Sequence, residues 1–273
     1  MKLTYLGTAA AEGFPGVFCN CEYCIQARKT GGKNIRTRSQ SLINDDLLID
    51  LPADTYSHFL ANGIEGHKIN YLLVTHSHSD HFYPDELEMR QGCYAHNMKH
   101  QVLEMYCGKG VKERFDYMNK KTENIDISVV NLYEEIKFGK YTVYPLRARH
   151  YEGDGALFYI IQADGKTLLY AHDTGYFYDE VFELIKEKGF KFDLISYDCT
   201  NVDIAIGDDG THMGIENIER VDAKLAQMGA THENTIRVIN HFSHNACPLH
   251  DVLENRVKEL GYLVSYDGMK IDF

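Results

Sequence analysis

The sequence predicts an α/β protein built as an αββα sandwich: two mixed β-sheets packed face to face, with helices outside. Three observations carry this prediction. Short apolar, β-branched runs are grouped early and late in the chain, with helical stretches between them. With 273 residues and 44% hydrophobic content, the chain can bury a sizeable core. His76, His150, Asp173 and His241 each stand just after a predicted strand, where α/β folds place their chemistry. Such strand ends converge on one edge, so residues 1–273 are read as one domain organised around it.

Lys2 to Leu6 reads as the first strand, stopped by Gly7-Thr8. The cluster Cys19-Asn20-Cys21-Glu22-Tyr23-Cys24 follows. Three thiols so close cannot all pair, and so short a loop disfavours bridging. Thiolates at this spacing can converge on one zinc ion that takes a fourth ligand from elsewhere. Lys33 and Arg36 to Arg38 read as a mild basic patch on a solvated loop. Ser41 to Ile43 and Leu47 to Leu51 flank Asn44-Asp45-Asp46 as a β-hairpin, with Asp50 closing its second strand. Pro52 and Asp54 start a helix that runs to about Asn62. Ile69 to Val74 is apolar enough for a buried strand, and Tyr83 to Arg90 begins a helix with Pro84 in its first turn.

Between Gly92 and Thr122, Val102 to Cys107 reads as a strand and Val111 to Lys120 has helical spacing. Strands are expected over Asp126 to Leu132, Glu135 to Phe138 and Tyr141 to Ala148, the last two joined by Gly139-Lys140. Ala156 to Gln162 and Thr167 to Ala171 form a hairpin around Asp164-Gly165. A helix from about Asp179 to Lys188 and a strand from Asp193 to Tyr197 follow, ending at Asp198-Cys199-Thr200. After a Gly207 to Gly210 loop and His212, Ile215 to Gln227 is helical and Thr235 to Ile239 is a strand. Leu249 to Leu260 is the last helix and Leu263 to Tyr266 the final strand.

The chemistry concentrates in Thr75-His76-Ser77-His78-Ser79-Asp80-His81. His76 and His78 are two apart, so an extended backbone sends both imidazoles to one side. Asp80 and His81 lie in the turn beyond and can face a second point a few ångströms away. This spacing suits two nitrogens on one metal and an oxygen plus a nitrogen on its neighbour. The pattern His-x-His-x-Asp-His resembles the signature of the metallo-β-lactamase superfamily. The later His150, Asp173 and His241 extend the resemblance, in order, to that family's binuclear ligand set. It implies the metallo-β-lactamase fold, one metal on His76, His78 and His150, a second on Asp80, His81 and His241, and Asp173 as the bridge. His and carboxylate donors accept zinc, manganese or iron. Two such cations sharing a water bring its pKa towards ~7 and hold a hydroxide ready.

A narrower resemblance rests on Cys19-x-Cys21-x-x-Cys24, His241-x-x-His244 and Tyr266-Asp267-Gly268-Met269. These are similar to the PhnP-like phosphodiesterases of the carbon–phosphorus lyase pathway. That likeness implies a structural zinc on Cys19, Cys21, Cys24 and His244. It also implies cyclic phosphodiester substrates, such as a ribosyl 1,2-cyclic phosphate or 2′,3′-cyclic nucleotides. Asp198-Cys199 and His212 match the family's late segment, with His212 beside the leaving group. Asp80 and His212 are accordingly the catalytic candidates, His212 as general acid. The chain departs from the family at Asn240, where a Thr is common, and over about His96 to Glu123, which does not align.

The formal net charge is −12, with no long basic run. Bulk charge therefore disfavours nucleic-acid polymers and anionic membranes as partners. No apolar run approaches the ~20 residues of a membrane span, and the N-terminus lacks a signal peptide's pattern. Seven cysteines without such a signal point to reduced thiols and a cytoplasmic protein. The family resemblance suggests a homodimer. Competing readings are a thioesterase, a lactonase or a tRNA 3′-processing nuclease of the same superfamily, or a non-catalytic accessory protein of cofactor biosynthesis. The nuclease lacks its basic, Gly-rich arm here, and the accessory protein would carry an incomplete ligand set.

Overall fold

A computed structural model describes residues 1–118, 123–151 and 155–273. One sheet holds β1 (Lys2–Gly7), β2 (Gln40–Ile43), β3 (Leu47–Ile49), β4 (Tyr71–Val74), β5 (Leu103–Cys107), β6 (Ile125–Val129) and the late strand β14 (Lys270–Asp272). Their order is β14-β1-β2-β3-β4-β5-β6. The other holds β7 (Ile136–Phe138), β8 (Tyr141–Arg147), β9 (Leu157–Ala163), β10 (Lys166–Ala171), β11 (Leu194–Asp198), β12 (Ile236–Asn240) and β13 (Leu263–Val264). These run in the order β13-β12-β11-β10-β9-β8-β7. Both sheets are mixed: β14 to β3 and β7 to β10 pair antiparallel, while β3 to β6 and β10 to β13 pair parallel.

Alternation along the strands explains the four layers. Leu168 and Tyr170 of β10 point into the space between the sheets, where they meet Tyr5, Ile43 and Ile49. Leu169 and Ala171 point the other way, among residues of α4 (Asp179–Lys188) and α5 (Ile215–Gln227). On the first sheet Leu73 faces inward, while Leu72 and Val74 face the outer cluster with Val111 and Phe115 of α3 (Lys109–Tyr117). Strands buried on both faces read as continuous apolar runs, which is what the sequence shows. The remaining α-helices among the described residues are α1 (Glu22–Thr30), α2 (Thr55–Asn62) and α6 (His250–Val257).

Local chemistry sets the element ends. In α4, Val181, Phe182, Leu184 and Ile185 form the buried stripe, Asp179 and Glu180 open the first turn, and Gly189 closes it at φ 64°. The β9–β10 hairpin turns on Asp164 and Gly165, at φ 54° and 73°, the paired positive values a two-residue turn requires. No helix among the described residues is long and apolar enough to cross a membrane.

The structure corrects several expectations. Pro84–Arg90 is a 3-10 helix rather than an α-helix. The expected 249–260 helix ends as α6 at Val257, with one 3-10 turn beyond it. The helix expected over Val111 to Lys120 spans Lys109–Tyr117, and positions 119 and 120 lie outside the described residues. The last predicted strand shrinks to Leu263–Val264. β14 was not anticipated, because three residues carry no legible period; pairing with β1 alone makes it a strand. Arg36 is not on a solvated patch but 2% exposed. Its guanidinium donates to Thr8 Oγ1 at 3.0 Å and to the Ser265 carbonyl at 2.6 Å, and it stacks over Phe242. It thus ties the first and last segments together.

Candidate metal centre

Seven predicted side chains meet at one edge of the sandwich. The loop after β4 carries His76, His78, Asp80 and His81; His150 follows β8, Asp173 follows β10, and His241 follows β12. Asp50, Asp173 and His241 adopt positive φ of 64°, 51° and 65°. That conformation is uncommon for non-glycine residues and concentrates at functional sites. Here it turns each chain sharply at the strand end.

Donor atoms of His76, His78 and His150 lie within 4.8 Å of one another, and so do those of Asp80, His81 and His241. His76 Nε2 and His150 Nε2 stand 2.9 Å and 3.2 Å from His78 Nδ1. Asp173 lies between the two groups. Its Oδ2 is 2.8 Å from His81 Nε2 and 2.9 Å from His241 Nε2, and its Oδ1 is 3.8 Å from His150 Nε2. His81 Nε2, His241 Nε2 and Asp173 Oδ2 are nevertheless buried without a hydrogen-bond partner. A buried polar atom left unpaired costs about 1–3 kcal/mol. Three that converge on one spot, inside a set of imidazoles and carboxylates, fit divalent cations.

The far sides of the imidazoles are held in place. Asp50 Oδ2 is 2.7 Å from His81 Nδ1, Thr75 Oγ1 is 3.0 Å from His76 Nδ1, and Thr200 Oγ1 is 2.8 Å from His241 Nδ1. Thr75 donates in turn to Asp50 through its backbone N–H and its hydroxyl. Such partners orient ligand rings and raise their basicity. Asp50, Thr75 and Thr200 are not legible in the sequence as site residues, and Asp50 reads there only as a strand end. The sole available signal was a polar residue at each strand terminus.

Asp198 does similar work at the mouth. Its carboxylate accepts the backbone N–H of Asp173, Thr200 and Met213, and its Oδ2 is 3.0 Å from His212 Nδ1. The His212 ring packs 4.8 Å from that of His150 and 5.6 Å from that of His241. Burial lowers the pKa of His212, but Asp198 and then Asp173 outweigh it and hold the imidazole up at about 9. Burial likewise opposes charge on Asp80, yet the neighbouring histidines, His81 first, keep its carboxyl below the usual range. His76 is pushed well down by burial and by His81.

The cysteine cluster forms a second, separate group. Sγ of Cys19, Cys21 and Cys24 and a ring nitrogen of His244 lie within 4.8 Å of one another, and all seven cysteines are free. Cys19 Sγ and Cys21 Sγ are 3.5 Å and 3.7 Å from His244 Nδ1. The backbone N–H of Cys24 first, then His244, draws the Cys21 thiol down to about 6, whereas burial pushes Cys24 up to about 11. Arg28 fastens the loop by donating to the Cys19 carbonyl.

Residues 49–238 match the family model described as the beta-lactamase superfamily domain. No curated protein sequence matches significantly. Among solved structures, the chain is similar to a diphosphatase of the PhnP family, with a TM-score of 0.75 and 20% identity over 100% of this chain and 97% of that one. It is equally similar to zinc-bound PqqB from Methylobacterium extorquens, with a TM-score of 0.75 and 20% identity over the whole of both chains. Human short-form tRNase Z follows with a TM-score of 0.66 and 17% identity, over 100% of this chain and 99% of that one. At these identities the likeness shows the fold alone, two mixed sheets with flanking helices.

Proposed function

We propose, from the premise that this chain belongs to the beta-lactamase superfamily, that it is a metal-dependent hydrolase of small phosphodiesters, cyclic phosphates above all. One observation carries the proposal: Asp173 stands between two complete donor groups, with buried, unpartnered atoms converging on it. In this reading His76, His78 and His150 hold one divalent cation, Asp80, His81 and His241 hold a second, and Asp173 reaches both. Two such cations supply Lewis acidity towards phosphoryl oxygens and bring the pKa of water towards ~7. His212 serves as the general acid. Its Nδ1 is engaged by Asp198, so Nε2 is the nitrogen left to pass a proton to the departing oxygen. Asp198 orients the ring and stabilises its cationic form. Cys19, Cys21, Cys24 and His244 hold a structural zinc that ties the N-terminal loop to the segment carrying His241.

The likeness to a PhnP-family diphosphatase supports phosphorus chemistry, and the likeness to zinc-bound PqqB supports zinc in at least one site. The test joins metal analysis to a substrate panel. About three metals per chain and turnover of bis(p-nitrophenyl) phosphate and a 2′,3′-cyclic nucleotide are expected. Turnover of thioesters alone would reject the phosphodiester reading, and a single zinc per chain would favour a non-catalytic scaffold.

A further inference from the structure

On the outer face of the first sheet, α2 and the 3-10 helix Pro84–Arg90 stand apart around a cavity of about 670 Å³. Leu48 of β3 and Leu72 of β4 line it, with Phe59 on the α2 side and Leu87 on the 3-10 side. Tyr56, Leu60, Met89 and Tyr94, also among its lining residues, remain exposed. The size and the apolar lining are those of a small-molecule site. None of the lining residues is among the metal ligands proposed above.

Of the polar groups in that lining, which include Thr55, His67, Glu86 and His96, Arg90 is the one permanent cation. A 3-10 helix repeats every three residues, so Leu87 and Arg90 share a face. Leu87 is buried; Arg90 therefore places a cation where the face calls for an apolar side chain. Part of that cation is accounted for, since Nη2 donates to the His100 carbonyl at 3.0 Å. Nε is buried with no hydrogen-bond partner, and among the described residues no carboxylate forms an ion pair with the guanidinium. Glu86 also lines the cavity, but burial and then the charge of Asp85 push its carboxyl towards the neutral form.

We infer that this cavity binds an apolar monocarboxylate, a fatty-acyl chain lying over Leu48, Leu72, Phe59 and Leu87 with its carboxylate against Arg90. Apolar burial accounts for most of the attraction. The guanidinium selects the head group, because a carboxylate completes a desolvated cation that an alcohol leaves charged and unpaired.

The chain contains no tryptophan, so Tyr94→Trp places a single fluorescent reporter at the cavity mouth. The full-length reporter protein is titrated with dodecanoate and with dodecanol. Saturable 1:1 binding of dodecanoate at micromolar concentration is expected, with dodecanol at least tenfold weaker. Adding Arg90→Gln should bring dodecanoate down to the level of dodecanol. Adding Ala95→Trp instead, with binding then read by calorimetry, should weaken both ligands by filling the cavity at an unchanged melting temperature, and it stands in if Arg90→Gln fails to fold. Equal affinity for acid and alcohol, indifference to Arg90→Gln or to Ala95→Trp, or no saturable binding overturns the inference. So does sedimentation showing a dimer that dodecanoate does not dissociate and whose interface shields the reporter from quencher. None of these readouts depends on hydrolytic activity.

Discussion

The two candidate metal sites are built on opposite plans. The centre around Asp173 draws its donors from the ends of β4, β8, β10 and β12, and the backs of three imidazoles are pinned by Asp50, Thr75 and Thr200. The cysteine site draws three donors from six consecutive residues and a fourth from His244; Cys19, Cys21 and His244 are only partly buried. In the first, the sheets hold the geometry before any cation arrives, which is what chemistry on a substrate needs. In the second, the loop is held by Arg28 and by the small cluster of Ala9, Phe14, Cys24 and Ala27, and a cation bound there would add its binding free energy to folding.

Substitutions can break this contrast, beginning with the largest effect. Asp80→Ala should lower kcat/KM on bis(p-nitrophenyl) phosphate by at least ~1000-fold and remove an active-site metal, with the circular dichroism spectrum unchanged; retained activity would take Asp80 off the ligand set. His212→Ala should cost roughly 100-fold or more on a cyclic nucleotide, whose alkoxide leaving group needs a proton, but only a few-fold on the p-nitrophenyl ester. Equal losses on the two substrates would make His212 a structural residue rather than an acid. Asp50→Asn leaves the first donors in place and should cost about 10–100-fold in metal affinity or activity, read by competition with a chelator. Cys21→Ser should do the reverse. It should lose one zinc and roughly 5–10 °C of melting temperature while activity stays within a few-fold, and an unchanged zinc content would refute the structural site.

A control on stability alone sharpens the comparison by testing a histidine in neither site. His58 is buried between Gln40 Oε1 and Thr37 Oγ1, and burial lowers its pKa from 6.5 to about 4. Between those values the unfolded chain takes up the proton and the folded one does not, so stability falls as pH drops through that window. The contribution lost is on the order of 3 kcal/mol. Urea titrations of wild type and His58→Gln at pH 7 and pH 4 should show a smaller pH dependence in the variant; parallel curves would mean that His58 titrates normally.

Much of this was legible in the chain itself, for identifiable reasons. The Cys19–Cys24 and His76–His81 clusters are local, so spacing alone brings their donors together, and the structure does so. Strands buried on both faces show as apolar runs, and Asp164-Gly165 shows as a tight turn, since both are governed by neighbours in sequence. Uniting His150, Asp173 and His241 with the first cluster needed the resemblance to a family, because no single one of them differs from a loop residue.

What the amino-acid sequence determined unaided, then, is the two local donor clusters, Cys19–Cys24 and His76–His81, and most of the elements that carry the site. Tertiary structure alone decided the rest: Asp50 behind His81, Thr200 behind His241, Asp198 behind His212, Arg36 sealed inside, and β14 as a strand at all. The physical reason is range. Helix stripes, turn residues and ligand spacing act over a few positions, whereas these contacts join segments 14 to 270 residues apart. Only once the sheets have packed does either partner meet the other.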